Sequence, residues 1–546
     1  MSSAGTESSA PVGIGPSRWL AVILAAALLA RSFVLLRAVR RGPDQWWQDP
    51  DGYTARALAL LGDQGWSWNF DAFTYGVMVK APLYPFVLSA FALFPSVYHL
   101  SAAIFQILLG TASVAGLYVI GRHLHSPRAG LIAAAVYALW LPALGFVPVF
   151  LQEQLHAPLV IGGMALFVHA ATHAAGWRRF GVAGGVLGLA ALARSMPLYY
   201  LGPAAVLYVL ASQARRLAAR QALALVLGFV VVVLPWCVYV SVRTGQVVLI
   251  DNMGSASLGV TYREVRPEIH TAPPASVGES LVMLWRAATL DPARFWGDRV
   301  GDFQRLFRLV GGQWLELQPP VATRVQAHAL KVVAHASDVL MALAAVLAPF
   351  GVLLVHRRRE GMLVALWVVL HMGLLVMFAW SGVRYRAPYE PQLIVLAAVV
   401  VAGGGVRPGR LAVGCAFAIS MAMAAAMTMS LPETASGRAR YGFDGWQNVD
   451  GPQQAAIVGE AGFGVLARDG AVTLTLQPAG AGGATRPERV RVFLDGQLVD
   501  QVTFDGRERR LWYIWPRLAA YVELEVTFES SGRPAPILVD VAAPWK

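Results

Sequence analysis

Residues 46–53 read Trp-Trp-Gln-Asp-Pro-Asp-Gly-Tyr, setting Asp49 and Asp51 two positions apart between an aromatic pair and Tyr53. A carboxylate there can take a proton from a hydroxyl as a general base. Asp49 before Pro50 also has the form of a helix N-cap with proline at the first helical position, so capping alone accounts for it too. Four cations join this picture: Lys80 ahead of Pro82-Leu83-Tyr84-Pro85, Arg194 in Arg194-Ser195-Met196-Pro197, and Arg384 and Arg386 on either side of Tyr385. Cations near a bilayer are costly to hold and are functional candidates by default. Together they suit an anionic headgroup such as a lipid phosphate, held by charge-assisted hydrogen bonds. Snorkelling to membrane lipids explains any one of them singly.

Several chemistries lack their residues. No G-x-x-x-x-G-K-[ST] and no G-x-G-x-x-G after a strand is present, so there is no nucleotide cradle, and there is no H-E-x-x-H. His169 and His173 stand at i, i+4, and Glu153-x-x-His156 has the spacing of half a di-iron site without its second copy. No metal ligand is assigned from these. Cys237 and Cys415 both lie in apolar runs, which excludes a disulfide framework and reads as core packing.

The chain that must position these groups has 546 residues, 56% of them hydrophobic and 14% charged, against roughly 25% charged in soluble domains. Its mean hydropathy is +0.53. These values exclude a single soluble globular enzyme and, equally, a disordered chain. The formal charge of +12 points to membrane topology rather than to nucleic acid. A crossing needs about 20 apolar residues. Runs near that length occupy 19–39, 97–121, 129–148, 155–175, 222–242, 337–356, 361–380, 388–404 and 409–431, and the run 180–211 is broken at Arg194–Pro197 into two short helices meeting at one face. That predicts eleven crossings.

Arginines at 122, 128, 178, 179, 215, 216, 220, 357, 358, 359, 407 and 410 crowd five short loops, which places those loops in the cytoplasm, the N-terminus inside and the C-terminus outside. Arg37, Arg40 and Arg41 lie on the other side and are outvoted. The segment 82–95 is too short to cross and fits an interfacial or re-entrant helix. Residues 1–18 read as a disordered cytoplasmic leader, 19–431 as the membrane domain with outer loops 40–96 and 243–335, and 432–546 as an extracytoplasmic domain. After Asp49, Tyr53, Ala57, Leu60 and Leu61 form one apolar helical face along the membrane surface. The run Gly65–Phe70 adds aromatic surface suited to sugar faces or to interfacial anchoring.

In the tail, Val522, Leu524, Val526 and Phe528 alternate with polar residues, as in a half-buried strand. Shorter runs at 472–476, 490–494, 498–504, 511–515 and 537–541 are punctuated by Asp495-Gly496, Asp505-Gly506 and Ser531-Gly532. This pattern predicts an antiparallel β-sandwich. Trp512, Tyr513 and Trp515 suit either its core or a carbohydrate-binding face.

Asp49–Tyr53 with its helix, Lys80–Pro85, Glu153, Ala191–Arg194, Leu234–Trp236 with Thr244-Gly245 and Asp251-Asn252, Asp291-Pro292 with Phe295, and Arg384–Pro388 follow one another through most of 19–431. In this order the chain resembles bacterial GT-C glycosyltransferases of the protein-O-mannosyltransferase and lipid A aminoarabinose transferase type. The resemblance implies an α-helical polytopic membrane protein that takes a sugar from a polyprenyl-phosphate donor and inverts its anomeric carbon. It implies Asp49 as the base with Asp51 as the fallback, and Lys80 at the donor phosphate together with Arg194, Arg384 and Arg386. Tyr53, Tyr84 and Glu153 would contact substrate. Where the family carries Trp-x-x-Arg-Asn, this chain reads Trp236-Cys237-Val238-Tyr239-Val240, so contacts from that stretch are not carried over.

Families on this scaffold differ in metal use, so no cofactor is assigned and a divalent metal stays open. The implied partners are the lipid-linked donor, a glycan, glycolipid or protein acceptor, and membrane lipids of the inner membrane. Nucleic acid is not among them. The same intramembrane charges also fit a transporter or flippase of lipid-linked sugars, and the same scaffold an envelope glycan polymerase.

Overall fold

The computed structural model describes residues 16–40, 47, 49, 51–61, 71–73, 76–173, 176–245, 247–252, 277–307, 324–377, 383–403 and 410–429, and eight segments of the tail given below. The leader up to residue 15, the aromatic run 65–70, the three expected tail turns and Trp515 lie outside the described residues. The chain divides into two compact units, Met1–Phe307 with Ala342–Ala425, and Arg308–Met341 with Ala426–Lys546.

Helices α1 (Pro16–Val39) and α2 (Tyr53–Ala59) precede a two-stranded ribbon of β1 (Asp71–Phe73) and β2 (Gly76–Met78), followed by α3 (Leu83–Ala92). Next come α4 (Tyr98–Leu124), α5 (Pro127–Ala138), α6 (Leu141–Gly145), α7 (Glu153–Thr172), α8 (Trp177–Ala193), α9 (Met196–Leu210) and α10 (Arg215–Thr244). In the second large loop stand α11 (Val277–Leu290) and α12 (Pro292–Phe307), before α13 (Arg324–Val355), α14 (Arg359–Met377), α15 (Glu390–Ala402) and α16 (Arg410–Met429). Apart from 129–148, each expected crossing overlaps a helix, and among the described residues 6 helices are long and apolar enough to span by themselves. Their outward faces carry exposed aliphatics such as Leu29, Val231 and Val242, as lipid-facing helices do.

Small residues let these helices approach. A Cβ built on Gly184 of α8 would come within 1.9 Å of the Leu225 carbonyl oxygen of α10, and one on Gly228 of α10 within 2.0 Å of that of Gly181. Only glycine permits such backbone contact, the small-residue packing that replaces the hydrophobic effect between helices in lipid.

Two local expectations need correction. The run 129–148 is not one helix: Pro142 has no N–H for the Ala138 carbonyl and its ring would clash with it, so α5 ends there. The freed Ala138 oxygen instead accepts Nη1 of Arg31, a cation on α1 that is only 1% exposed. Nor does α2 begin at Pro50. Gly52 sits in the left-handed region at φ 70° and the helix starts at Tyr53. On its face Tyr53, Ala57 and Leu60 are buried as expected, while Leu61 is exposed.

The second unit contains strands β3 (Arg438–Trp446), β4 (Ala455–Val465), β5 (Ala471–Pro478), β6 (Glu488–Leu494), β7 (Gln497–Phe504), β8 (Arg509–Ile514), β9 (Val522–Glu529) and β10 (Ile537–Ala542). They form one antiparallel 8-stranded sheet in the order β7-β6-β9-β4-β10-β5-β8, with β3 on β4. The second half of β4 pairs with β9 from Glu460 onward, while its first residues, up to Ile457, pair with β10. Gly459 lies at that division, where glycine permits a bend. The pairing therefore supplies two three-stranded arms joined through β4, in place of the two separate sheets of the expected sandwich. β6 and β7 are paired neighbours, with Leu494 opposite Gln497. β7 and β8 lie at opposite edges, and β9 and β10 flank β4.

Candidate functional site

At one end of the helical unit, the α1–α2 loop, the N-termini of α3 and α7, the α8–α9 junction and the turn before α15 bring charged side chains together. Asp49 Oδ1 accepts the Tyr53 N–H at 2.8 Å, and Oδ2 accepts the Thr54 N–H at 2.7 Å and the Thr54 hydroxyl. The carboxylate thus reaches over the Asp51-Gly52 turn to satisfy the first orphan donors of α2. A carboxylate has about four acceptor sites, so these three bonds fix its orientation and leave one. Tyr84 and Tyr98 lie within its electrostatic reach.

Tyr53 is buried, packs edge-on against Tyr84 at 5.2 Å and has the Lys80 ammonium 5.7 Å from its ring centroid. Lys80 also donates to the Asp51 carbonyl at 3.4 Å. Its segment is held from the far side of α10: the Val79 N–H donates to Asn252 Oδ1 at 2.8 Å, and the Asn252 N–H to the Val79 carbonyl at 3.2 Å. Arg384 donates to Asp51 at 3.2 Å and to the Tyr385 hydroxyl at 3.1 Å. The Tyr385 ring has two guanidiniums about it, Arg194 at 4.6 Å and Arg384 at 5.0 Å.

Arg194 occupies the extended break between α8 and α9, and its Nη1 meets Glu153 Oε1 at 2.9 Å. Glu153 is the first residue of α7, where the helix dipole favours a carboxylate. Burial first, then the charges of Glu153 and Asp51, push the Tyr53 hydroxyl well above its ordinary range, so it stays protonated despite Arg194 and Arg384. Burial works to lower the Arg384 guanidinium, but Glu153, Tyr385 and Asp51 outweigh it and raise it, leaving a fixed positive charge.

Of the expected residues, the structure gathers Asp49, Asp51, Tyr53, Lys80, Tyr84, Glu153, Arg194 and Arg384. Arg386 turns away. It is 1% exposed and pairs with Glu390 at 3.0 Å, whose other oxygen accepts Trp140 Nε1 at 2.8 Å. Behind Glu153 lies a cavity with about 500 Å³ of empty space, its open mouth included, lined among others by Arg31, Gln106, Gln154 and Glu390. Glu153 Oε2, Gln106 Nε2, Gln154 Nε2 and Arg31 Nη2 are buried there without hydrogen-bond partners among the described residues. His156 Nδ1, one turn along α7 from Glu153, meets the Ala190 carbonyl at 2.9 Å.

Tyr385 and Gln106, which accepts the Tyr84 hydroxyl at 3.3 Å, had no assigned role from sequence. Tyr385 has a visible signal, an aromatic between two arginines. Gln106 has none within its apolar run.

Residues 79–239 match the family model of dolichyl-phosphate-mannose-protein mannosyltransferases. Over that stretch the chain is similar to the GT-C enzymes whose motifs it resembles. The match includes Lys80, Tyr84, Glu153 and Arg194 and leaves out Asp49, Asp51 and Arg384. No curated protein matches the chain in sequence.

Among solved structures, the oligosaccharyltransferase AglB from Archaeoglobus fulgidus, in complex with an inhibitory peptide and a dolichol-phosphate, is 15% identical with a TM-score of 0.45, covering 75% of this chain and 55% of its own. The same enzyme in complex with Zn and sulfate is 15% identical at 0.43, covering 75% and 52%. ArnT from Cupriavidus metallidurans bound to undecaprenyl phosphate is 16% identical at 0.41, covering 76% and 64%. The chain spans about half the length of the oligosaccharyltransferases it is similar to.

Proposed function

We propose that the chain is an integral-membrane inverting glycosyltransferase that moves a sugar from a polyprenyl-phosphate donor to an acceptor hydroxyl on the extracytoplasmic side. The observation that carries this reading is the convergence of Asp49, Asp51, Lys80, Glu153, Arg194 and Arg384, from five distant stretches, around Tyr53 and Tyr385 at one end of the helical unit. The family match over 79–239 supports the same class.

In this reading the acceptor oxygen attacks the anomeric carbon and its proton passes to Asp49, the carboxylate already held rigid by α2. The bond from that carbon to the phosphate oxygen breaks, and the leaving phosphate takes the electron pair. In the same reading Lys80 and Arg384 neutralise it, which lessens the need for a separate acid. A phosphate would compete with Asp51 for Arg384. The unpartnered Glu153 Oε2 and its cavity give sugar hydroxyls an acceptor. The arginine-rich end would face the cytoplasm. The tail would stand outside as a docking surface for the acceptor, and removal of 445–546 without any change in acceptor use would disprove that role.

The test is conversion of a series of polyprenyl-phosphate sugars by the purified protein in lipid nanodiscs with envelope extract, wild type beside Asp49→Asn. Loss of a general base lowers turnover by roughly 10²–10⁴-fold. If Asp49→Asn keeps its turnover while Asp51→Asn or Glu153→Gln loses it, the base is that residue instead. Donor left unconsumed by wild type across the series would overturn the proposed reaction.

A further inference from the structure

Helix α7 begins at Glu153 in the charge cluster, and its last turn carries a different constellation some 24 Å away at 1.5 Å per residue. His169 and His173 share one face there, one turn apart. Packing of α4 against α7 brings in His123 from the last turn of α4. One ligand atom from each of the three lies within 4.8 Å of the other two. His169 Nδ1 and His123 Nε2 face each other at 3.1 Å. His173 Nδ1 hydrogen-bonds the His169 carbonyl at 3.0 Å, which as a donated N–H leaves its Nε2 lone pair free for a ligand.

We propose that His123, His169 and His173 form a divalent transition-metal site suited to Zn²⁺. A tetrahedral ion with Zn–N near 2.0–2.1 Å needs nitrogens about 3.3 Å apart, close to the separation already present between His123 and His169. Imidazole ligands favour Zn²⁺ and its neighbours over Mg²⁺ or Ca²⁺, which take oxygen. His173 is exposed, so a fourth position opens to water.

The charges around the site partly offset one another. Arg122 and Arg179 act against a bound cation and Glu360 acts for it. The same corner is where α14 docks, through Arg358 Nη1 to the Leu124 carbonyl at 2.9 Å and Arg359 to the Ala171 carbonyl. A metal here clamps α4 to α7 beside that docking point. The site is independent of the proposed transfer chemistry, since none of its ligands belongs to the charge cluster.

The test uses tag-free full-length protein in nanodiscs, stripped by a chelator and titrated with Zn²⁺ by calorimetry and with Co²⁺ by visible absorption. The expected result is one tight Zn²⁺ per chain, intense four-coordinate Co²⁺ bands, and at least ~10-fold weaker binding in His169→Ala. His173→Ala, an exposed helix-end change that leaves the packing intact, should weaken binding as much. His356→Ala, another exposed histidine, should leave it unchanged. The proposal is overturned if wild type takes up no Zn²⁺, or if the triple variant His123→Ala/His169→Ala/His173→Ala binds it equally well.

Discussion

Glu153–Arg194 and Asp51–Arg384 are both carboxylate–guanidinium pairs beside Tyr385, yet their surroundings differ. The first has side chains 2% and 8% exposed, the second 23% and 32%. The first ties the start of α7 to the break between α8 and α9, so it forms the floor of the site. The second joins two loops at the rim. A buried pair leaves an uncompensated charge when one partner is removed, whereas a half-exposed pair is screened and its partners re-solvate. The same chemistry thus fixes structure at the floor and stays exchangeable at the rim, where an incoming phosphate can replace a carboxylate.

The largest stability effect is expected at the floor. Arg194→Ala should destabilise the helical unit by about 3–5 kcal/mol, read by thermal unfolding in mild detergent. The double variant Glu153→Met/Arg194→Met should recover most of that loss, because apolar replacement of a buried pair is close to neutral. If the single variant costs under ~1 kcal/mol, the floor behaves as the rim does and the comparison fails.

Next in size is Thr54→Val, which keeps the backbone donor to Asp49 and removes the hydroxyl donor at a buried position. A hydrogen bond to a charged group contributes about 1.5–3 kcal/mol, so unfolding should shift by that order. Turnover should fall much less than in Asp49→Asn, since the carboxylate and two of its three anchors remain. Equal losses of turnover in the two variants would mean that Asp49 acts only as a cap.

The helices were legible because membrane crossings depend on length and apolarity, properties that a run of residues carries by itself. The break at Arg194-Ser195-Met196-Pro197 was legible for the same reason, with a charge and a proline inside an apolar run. Strands β3 and β4 were not: Ala455–Val465 is rich in alanine and glycine and lacks alternation, and in Arg438–Trp446 the alternation of Ala439, Tyr441 and Phe443 is short and interrupted by Gly442 and Gly445, so both are ordered by their partners rather than by propensity. Trp512 and Tyr513 show the other limit, since strand position alone does not say which face a side chain takes.

In the site, Lys80, Glu153 and Arg194 carried recognisable local motifs. The pairing of Asp51 with Arg384, 333 residues apart, is a product of the fold. So is the splitting of Arg384 from Arg386. Residues two apart in a short 3-10 turn project differently, and Arg386 found Glu390 four residues on.

The smallest stability effect belongs to the rim, and it discriminates most sharply between roles. Asp51→Asn removes the charge facing Arg384 but keeps an acceptor oxygen, and both side chains retain access to water. Its cost should stay under about 1 kcal/mol and shrink further in high salt. If Arg384 is the group that a donor phosphate must capture, releasing it from Asp51 lowers the donor KM while turnover at saturation is kept. High salt should then erase the difference between variant and wild type, because the lost competition is electrostatic. A collapse of turnover at unchanged KM would instead make Asp51 the proton acceptor, with Asp49 left to cap α2. The rim would then owe its exposure to the need for the base to reach the acceptor, not to exchange with phosphate.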